Sequence, residues 1–378
     1  MKKQKEAGRM THFNTIDEWF SGTGHPFIIA GPCSAESESQ VLSTARGLAA
    51  TGKVHLFRCG IWKPRSRPGS FSGAGTKALG WLTAVREETG LKIAVEVASP
   101  VHVEACLKDN VADVVWIGAR TVSNPFSVEE IAASLSGTDI PVMIKNPLSP
   151  DIDLWTGAVE RIFSAGKRKI AAVHRGFSPF ERTAYRNMPK WEIPIELRRR
   201  LPDIPVICDP SHIAGKAGLV PEIAQKALDL NMNGLMIEVH VNPREALSDA
   251  IQQLTIDQFG SLMNSLIVRK PTADDPGFLN QLEELRSQID SIDYQIVDLI
   301  AARLNVSAKM GEYKCLNNVT VLQMERWLEI LRTRIAHGKA QGLDTSFVEM
   351  LMKLLHQESI RKQTEIMNHL KKSGKCRS

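Results

Sequence analysis

The stretch VICDPSHIAGKAG (206–218), followed by NGLMIEVHVNPREALSD (233–249), decides how this chain is read. Its two apolar runs, 206–208 and 235–239, have the length and composition of strands buried on both faces, as in a parallel sheet. Polar residues gather where each run ends: Asp209 and His212 after the first, Glu238 and His240 at the close of the second, Asp249 a little beyond. A His, a Glu and an Asp converging in this way make a site for a hard-to-borderline divalent metal. A fourth ligand is offered by Cys33, at the end of the first apolar run, in FIIAGPCSAE (27–36).

Working outward, similar runs recur at 27–30, 54–58, 93–97, 114–117, 142–145 and 170–173. Helix-like segments lie between them, such as 37–51, 77–89, 101–109, 127–135, 156–165 and 220–230, and 246–267 reads as the last helix of the set. Eight strand-then-helix units predict a (β/α)8 TIM barrel. Active sites of such barrels sit at the C-terminal ends of the strands. Here those ends carry Cys33, Arg58 and Lys63, Glu96, Arg120, Lys145, His174 and Arg175, Asp209 and His212, and Glu238. One Lys or Arg at a strand end is usually a solvated surface residue. A chargeable or metal-binding residue at every end is not explained that way. A metal ringed by Arg58, Lys63, Arg120, Lys145 and Arg175 suits a substrate carrying both phosphate and carboxylate.

The bulk numbers agree with a soluble globular protein of two domains. The chain has 378 residues, 43% hydrophobic and 24% charged, with a formal net charge of +5. That excess permits anionic substrates, and without a basic stripe interleaved with aromatics it gives no sign of nucleic-acid binding. The six cysteines form no CxxC pair, which points to a reducing compartment. The basic N-terminus runs into THFNTIDEWF (11–20) and not into an apolar stretch, so neither a signal peptide nor a membrane span is expected, and the cytoplasm is the expected location.

Residues 1–25 read as a polar arm with a short helix near 15–20, residues 26–268 as the barrel domain, and RKPTADDPG (269–277) as a linker. From 278 to 371 the pattern becomes all-helical: Leu279, Leu282, Leu285, Ile289, Ile292, Ile296, Leu299 and Leu304 fall at helical spacing, and shorter helices follow at 322–341 and 345–370. One long helix with two shorter ones leaves little room for a self-contained core, so a homodimer formed through the helices is expected.

The strand-end motifs AGPCS (30–34), FRCGIWKPRSRPGSF (57–71), IGAR (117–120), IKN (144–146), HRG (174–176), DPSH (209–212) and IEVH (237–240) resemble the 3-deoxy-D-arabino-heptulosonate 7-phosphate (DAHP) synthase family in its short-barrel form, over roughly residues 25–265. The resemblance implies condensation of phosphoenolpyruvate (PEP) with erythrose 4-phosphate. It makes Cys33, His212, Glu238 and Asp249 the ligands of a divalent metal, manganese first, with iron, cobalt or zinc as alternatives. It assigns Arg120, Arg175 and Lys145 to the PEP phosphate, and Arg58 and Lys63 to its carboxylate, with Lys63 also a proton donor to the developing alkoxide. Arg65 and Ser66 fall on the clamp for the aldose phosphate; the family usually has Thr at the position of Ser66. Glu96 and Asp209 are the candidates for handling the water that attacks C2 of PEP. In the sister family that uses arabinose 5-phosphate the corresponding motif is of Lys-Ala-Asn-Arg-Ser type, whereas this chain has Lys63-Pro64-Arg65-Ser66.

The helical segment LEELRSQIDSIDYQIVDLIAARLNVSAKMGEYK (282–314) resembles the all-helical chorismate mutases. By that resemblance Arg286, Arg303, Lys314, Arg326, Ser359 and Gln363 are the binding residues for chorismate. Arg286 would reach one carboxylate from the partner subunit, Arg303 would hold the other, and Lys314 and Gln363 would donate to the ether oxygen. This rearrangement needs no nucleophile, only cations and donors fixed in advance of the reaction. Some better-known members have acidic residues at the positions of Gln323 and Trp327, which contact the substrate hydroxyl. The departure leaves a rival reading, a non-catalytic dimerisation and sensing domain. The expected whole is a bifunctional shikimate-pathway enzyme inhibited through the mutase domain by prephenate or chorismate.

Overall fold

The computed structural model describes residues 12–64, 69–108, 110–180 and 183–375. The chain divides into two compact units, Met1–Pro271 and Thr272–Ser378.

In the first unit eight strands alternate with helices: β1 (Phe27–Gly31), α1 (Glu38–Ala50), β2 (Leu56–Cys59), α2 (Ala78–Thr89), β3 (Lys92–Val97), α3 (Pro100–Lys108), β4 (Val114–Ile117), α4 (Ala119–Val122), α5 (Pro125–Leu135), β5 (Val142–Lys145), α6 (Ile152–Ser164), β6 (Ile170–His174), α7 (Glu192–Arg200), β7 (Val206–Cys208), α8 (Pro210–Ala214), α9 (Val220–Asp229), β8 (Gly234–Glu238) and α10 (Ile256–Ser265). All pairings are parallel and run in chain order, and β8 pairs with β1 to close the barrel, with Gly31 beside Glu238.

Strand side chains alternate between two layers, as the two-residue period requires. Phe27, Ile29, Leu56, Trp116, Met143, Val173 and Met236 fill the barrel interior. Ile28, Ala30, Phe57, Val95, Ile117 and Leu235 face the surrounding helices. The helices start where local chemistry dictates. Ser37 accepts a hydrogen bond from the Gln40 amide, Asn124 caps a helix whose first residue is Pro125, and Asp151 accepts from the Leu154 amide. Ile16 and Trp19 of the N-terminal segment pack with the interior layer, and Phe13 sits edge-on to Phe163 of α6.

The expected helix over 246–267 is corrected. Only Ile256–Ser265 is α-helical, begun by a capping box between Thr255 and Gln258. Before it the chain makes short 3-10 turns at Pro243–Glu245 and Ala250–Gln252, and Leu254 bridges to Val239. Asp249 takes a left-handed φ of 50°. This irregular path carries the Asp249 carboxylate to the barrel mouth. The helix α7 between β6 and β7 is an element the sequence pattern did not single out.

The second unit holds α11 (Pro276–Leu316), α12 (Met324–Ala340) and α13 (Thr345–Lys372). Gly311 lets α11 approach α13 closely: a Cβ there would lie 3.0 Å from the Gln363 Cα. Little of α11 is buried, and Leu285, Ile289, Ile292, Ile296 and Leu299 are all exposed. Among the described residues no helix is long and apolar enough to cross a membrane.

Candidate active sites

Parallel strands aim their last side chains at one end of the barrel, where the β-to-α loops add theirs. A pocket there is lined by Lys63, Pro64, Glu96, Ala119, Arg120, Lys145, Arg175, Arg186, His212 and Asp249. Seven of these ten were singled out from the sequence. Arg186 was not; it sits in the long segment between β6 and α7, outside any strand end. Arg65 and Ser66 lie outside the described residues.

Beneath the pocket is a buried charge network. Arg58 is fully buried, with Nη2 3.1 Å from Glu238 Oε1 and Nη1 3.9 Å from Asp209 Oδ2. Its guanidinium lies over the Trp116 ring, 5.2 Å from the centroid. Its Nε and Nη1 make no hydrogen bond. Buried unpaired donors on a cation are costly, and an arriving anion relieves that cost. Lys145 Nζ donates to Asp209 Oδ2 at 2.8 Å, and Lys63 Nζ to Glu96 Oε2 at 3.3 Å. Burial, with Arg186 and Arg120 close by and only partial relief from Asp209, pushes the Arg175 guanidinium down to about 10. Burial also lowers Lys145, against the pull of Asp209. Burial would raise Glu96, but Lys63, Lys145 and Arg58 outweigh it and hold the carboxylate below its ordinary range. The pocket is therefore built to be completed by an anion.

Four donors converge beside it. One donor atom each from Cys33, Glu238 and Asp249 lies within 4.8 Å of the others, with Cys33 Sγ 3.3 Å from Asp249 Oδ2. His212 Nε2 is 3.7 Å from Glu238 Oε1 and 4.0 Å from Asp249 Oδ2. His212 Nδ1 lies 2.8 Å from Asp209 Oδ2, which turns Nε2 toward the other donor atoms. Burial and the neighbouring Glu238 push the Cys33 thiol up to about 12. A thiol, two carboxylates and an imidazole crowded together fit a divalent cation, whose charge would favour the thiolate. Two glutamines that the expected helix had hidden complete the frame. Gln252 Nε2 donates to Glu238 Oε2 at 2.6 Å, and Gln253 Oε1 accepts from the Cys33 amide at 3.0 Å.

Strand alternation separates neighbours in the HRG motif. Arg175 turns into the pocket, while His174 is buried among Trp155, Phe177 and Trp191. Cys59, Cys106 and Cys208 pack between sheet and helices.

In the helical unit Arg303 Nη1 donates to Ser359 Oγ at 2.5 Å and to the Leu355 carbonyl at 3.0 Å. Lys314 Nζ donates to the Val321 carbonyl at 2.6 Å. Gln363 is buried, and its Oε1 has no hydrogen-bond partner. His356, which sequence reasoning missed, joins this group. Burial, Arg303 and Lys314 keep it below its ordinary pKa, and its ring stacks on Trp327 with centroids 3.9 Å apart. Arg326 is exposed and paired with Glu329 at 2.6 Å. Arg286 is exposed too, on α11 but 17 residues before Arg303, roughly 25 Å along the helix. The protomer therefore does not bring Arg286 to the Arg303 group.

Comparison with known proteins agrees with this geometry. Residues 5–270 match the DAHP synthetase I family, and residues 285–364 match chorismate mutase type II. The chain is 32% identical over 245 residues to a phospho-2-dehydro-3-deoxyheptonate aldolase of Thermotoga maritima, covering 65% of this chain and 70% of that one. It is 28% identical over 279 residues to a 2-dehydro-3-deoxyphosphooctonate aldolase of Vesicomyosocius okutanii, covering 68% and 96%. A crystal structure of the Thermotoga maritima DAHP synthase superposes with a TM-score of 0.56 at 31% identity, covering 63% of this chain and 67% of that one. The chain belongs to the DAHP synthetase I family and carries a type II chorismate mutase domain behind its barrel, and it is a bifunctional enzyme of the shikimate pathway.

Proposed function

We propose that the barrel condenses PEP with erythrose 4-phosphate to give DAHP and phosphate, and that its site residues divide the work as follows. Arg120, Lys145 and Arg175 hold the PEP phosphate, and Arg58 and Lys63 hold its carboxylate. Cys33, His212, Glu238 and Asp249 would hold a divalent metal, manganese by preference, and bound there it would supply Lewis-acid polarisation of the aldehyde carbonyl. Lys63 delivers a proton to the aldehyde oxygen as C3 of PEP attacks. Glu96, beside Lys63, orients the water that adds at C2. Asp209 has its oxygens committed to Lys145 and His212, so it acts in our reading by positioning them. The observation that carries the proposal is the pocket itself, where Lys63, Arg120, Lys145 and Arg175 meet Glu96, with His212 and Asp249 beside them. The test is a side-by-side assay with erythrose 4-phosphate and arabinose 5-phosphate as acceptors. Preference for the five-carbon sugar would overturn the acceptor, and phosphate release with neither would overturn the reaction.

For the mutase we take Arg303, Lys314, Ser359 and Gln363 as the binding group from one protomer. Arg286 joins it from a second protomer, with Arg326 at the rim. The homodimer is supported by the exposed apolar row on α11 and by the position of Arg286 along that helix. The domain limits we adopt are an arm at 1–25, the synthase at 26–268, a linker at 269–277 and the mutase at 278–371. Prephenate, the mutase product, is our choice of feedback inhibitor. The cytoplasm is our choice of compartment.

A further inference from the structure

We infer that Arg186 is a positioning residue shared between the metal ligands and the anion pocket, and that it makes binding of the two ligands mutually dependent. The inference rests on the ligand assignment proposed above. Arg186 Nη1 lies 2.9 Å from Asp249 Oδ1 and 2.6 Å from Gln252 Oε1. Asp249 Oδ2 faces the other way, 3.3 Å from Cys33 Sγ. Gln252 in turn donates to Glu238 Oε2 at 2.6 Å. One guanidinium therefore holds one metal ligand directly and a second through a single amide. The same side chain lines the anion pocket and stands close enough to Arg175 to depress it.

These contacts set up a competition. Asp249 carries one negative charge, and Arg186 is its cationic partner, 2.9 Å away. A dication held by Asp249 would draw on the same charge and weaken that pair. Arg186 is partly exposed and lies on an irregular segment between β6 and α7, so its long side chain can turn. A phosphate held by Arg120, Lys145 and Arg175, in the pocket that Arg186 also lines, would offer it a second negative charge. Metal binding thus frees a cation for the phosphate. A phosphate in the pocket, by drawing Arg186 away, frees Asp249 for the metal. By linkage each ligand must tighten the other by the same factor.

The test is Mn2+ affinity of the full-length protein, read from the electron paramagnetic resonance signal of free Mn2+, with and without PEP. In the wild type PEP should tighten Mn2+ about tenfold or more. In Arg186→Met that factor should fall below about threefold, because the cation that the two ligands share is gone. Two results overturn the inference: an unchanged coupling factor, or weakened Mn2+ binding with the coupling intact, which would make Arg186 a mere prop for Asp249. If Arg186→Met fails to fold, Arg186→Gln carries the same test with a polar, uncharged side chain. Cys33→Ala, measured in parallel, separates the two readings. If it binds Mn2+ as the wild type does, the ligand assignment fails. If it loses Mn2+ while Arg186→Met keeps full coupling, the shared arginine alone fails.

Discussion

Replacing Gly118 by Ala tests the role of Glu96 without touching it. A Cβ at Gly118 would stand 2.1 Å from Glu96 Oε1 and 3.2 Å from its Cδ. Ordinary non-bonded contact begins at roughly 3.5 Å, so the carboxylate must retreat by more than about 1 Å. The atom in the way is the end of a flexible side chain, and Gly118 has φ −72° and ψ 157°, which alanine adopts freely. Folding should therefore lose little, and the loss is offset by about 0.4–1 kcal/mol from a stiffer unfolded chain. The cost falls on chemistry, because Glu96 leaves its 3.3 Å contact with Lys63. A displacement of about 1 Å costs on the order of 100-fold in rate, or about 2.7 kcal/mol. Gly118→Ala should lower synthase kcat about 100-fold, match Glu96→Gln, and keep Tm within about 4 °C. The mutase rate of the same preparation is the internal control and should not change. A synthase rate that survives the substitution would remove Glu96 from the machinery, and a collapsed Tm would show that Gly118 is a folding residue instead.

Lys314→Ala should abolish chorismate turnover, by at least about 100-fold for loss of a donor to the ether oxygen, and leave DAHP formation intact; no turnover even in the wild type would make the helical domain a sensor only. Titrating prephenate into the intact protein should lower the synthase rate, and a flat response across the titration would refute feedback through the mutase domain. Lys167 gives a pH prediction for stability. It is buried, its ammonium donates to the Thr138 carbonyl at 2.6 Å, and burial pushes it down to about 8. Between that value and the ordinary 10.5 the unfolded chain binds more protons than the folded one, so barrel stability should rise with pH across this window, by at most about 3 kcal/mol. Urea denaturation of the wild type and of Lys167→Met from pH 7.5 to 10.5 should show that rise reduced in the variant, and identical slopes would refute the assignment.

The sequence by itself determined the barrel, because strands buried on both faces must be apolar throughout and end where polar loops begin. It determined most of the synthase pocket for the same reason: parallel strands, with the turns that directly follow them, bring Lys63, Glu96, Arg120, Lys145, Arg175 and His212 to one end. The helical unit was legible from its periodicity, though its limits shifted by a few residues at helix ends, where capping and not hydrophobicity sets the boundary. Only the tertiary structure decided what lies off the strand ends. Asp249 reaches Cys33, His212 and Glu238 through a left-handed residue and two short turns that hydrophobic spacing had suggested as helix. Arg186, Gln252 and Gln253 support the site from irregular segments, where no period marks which side chain points inward. Gly118 matters through the Glu96 oxygen its missing Cβ would meet, and His356 through its stack on Trp327. Such contacts join residues far apart in the chain, so they exist only once packing has fixed their distance and direction.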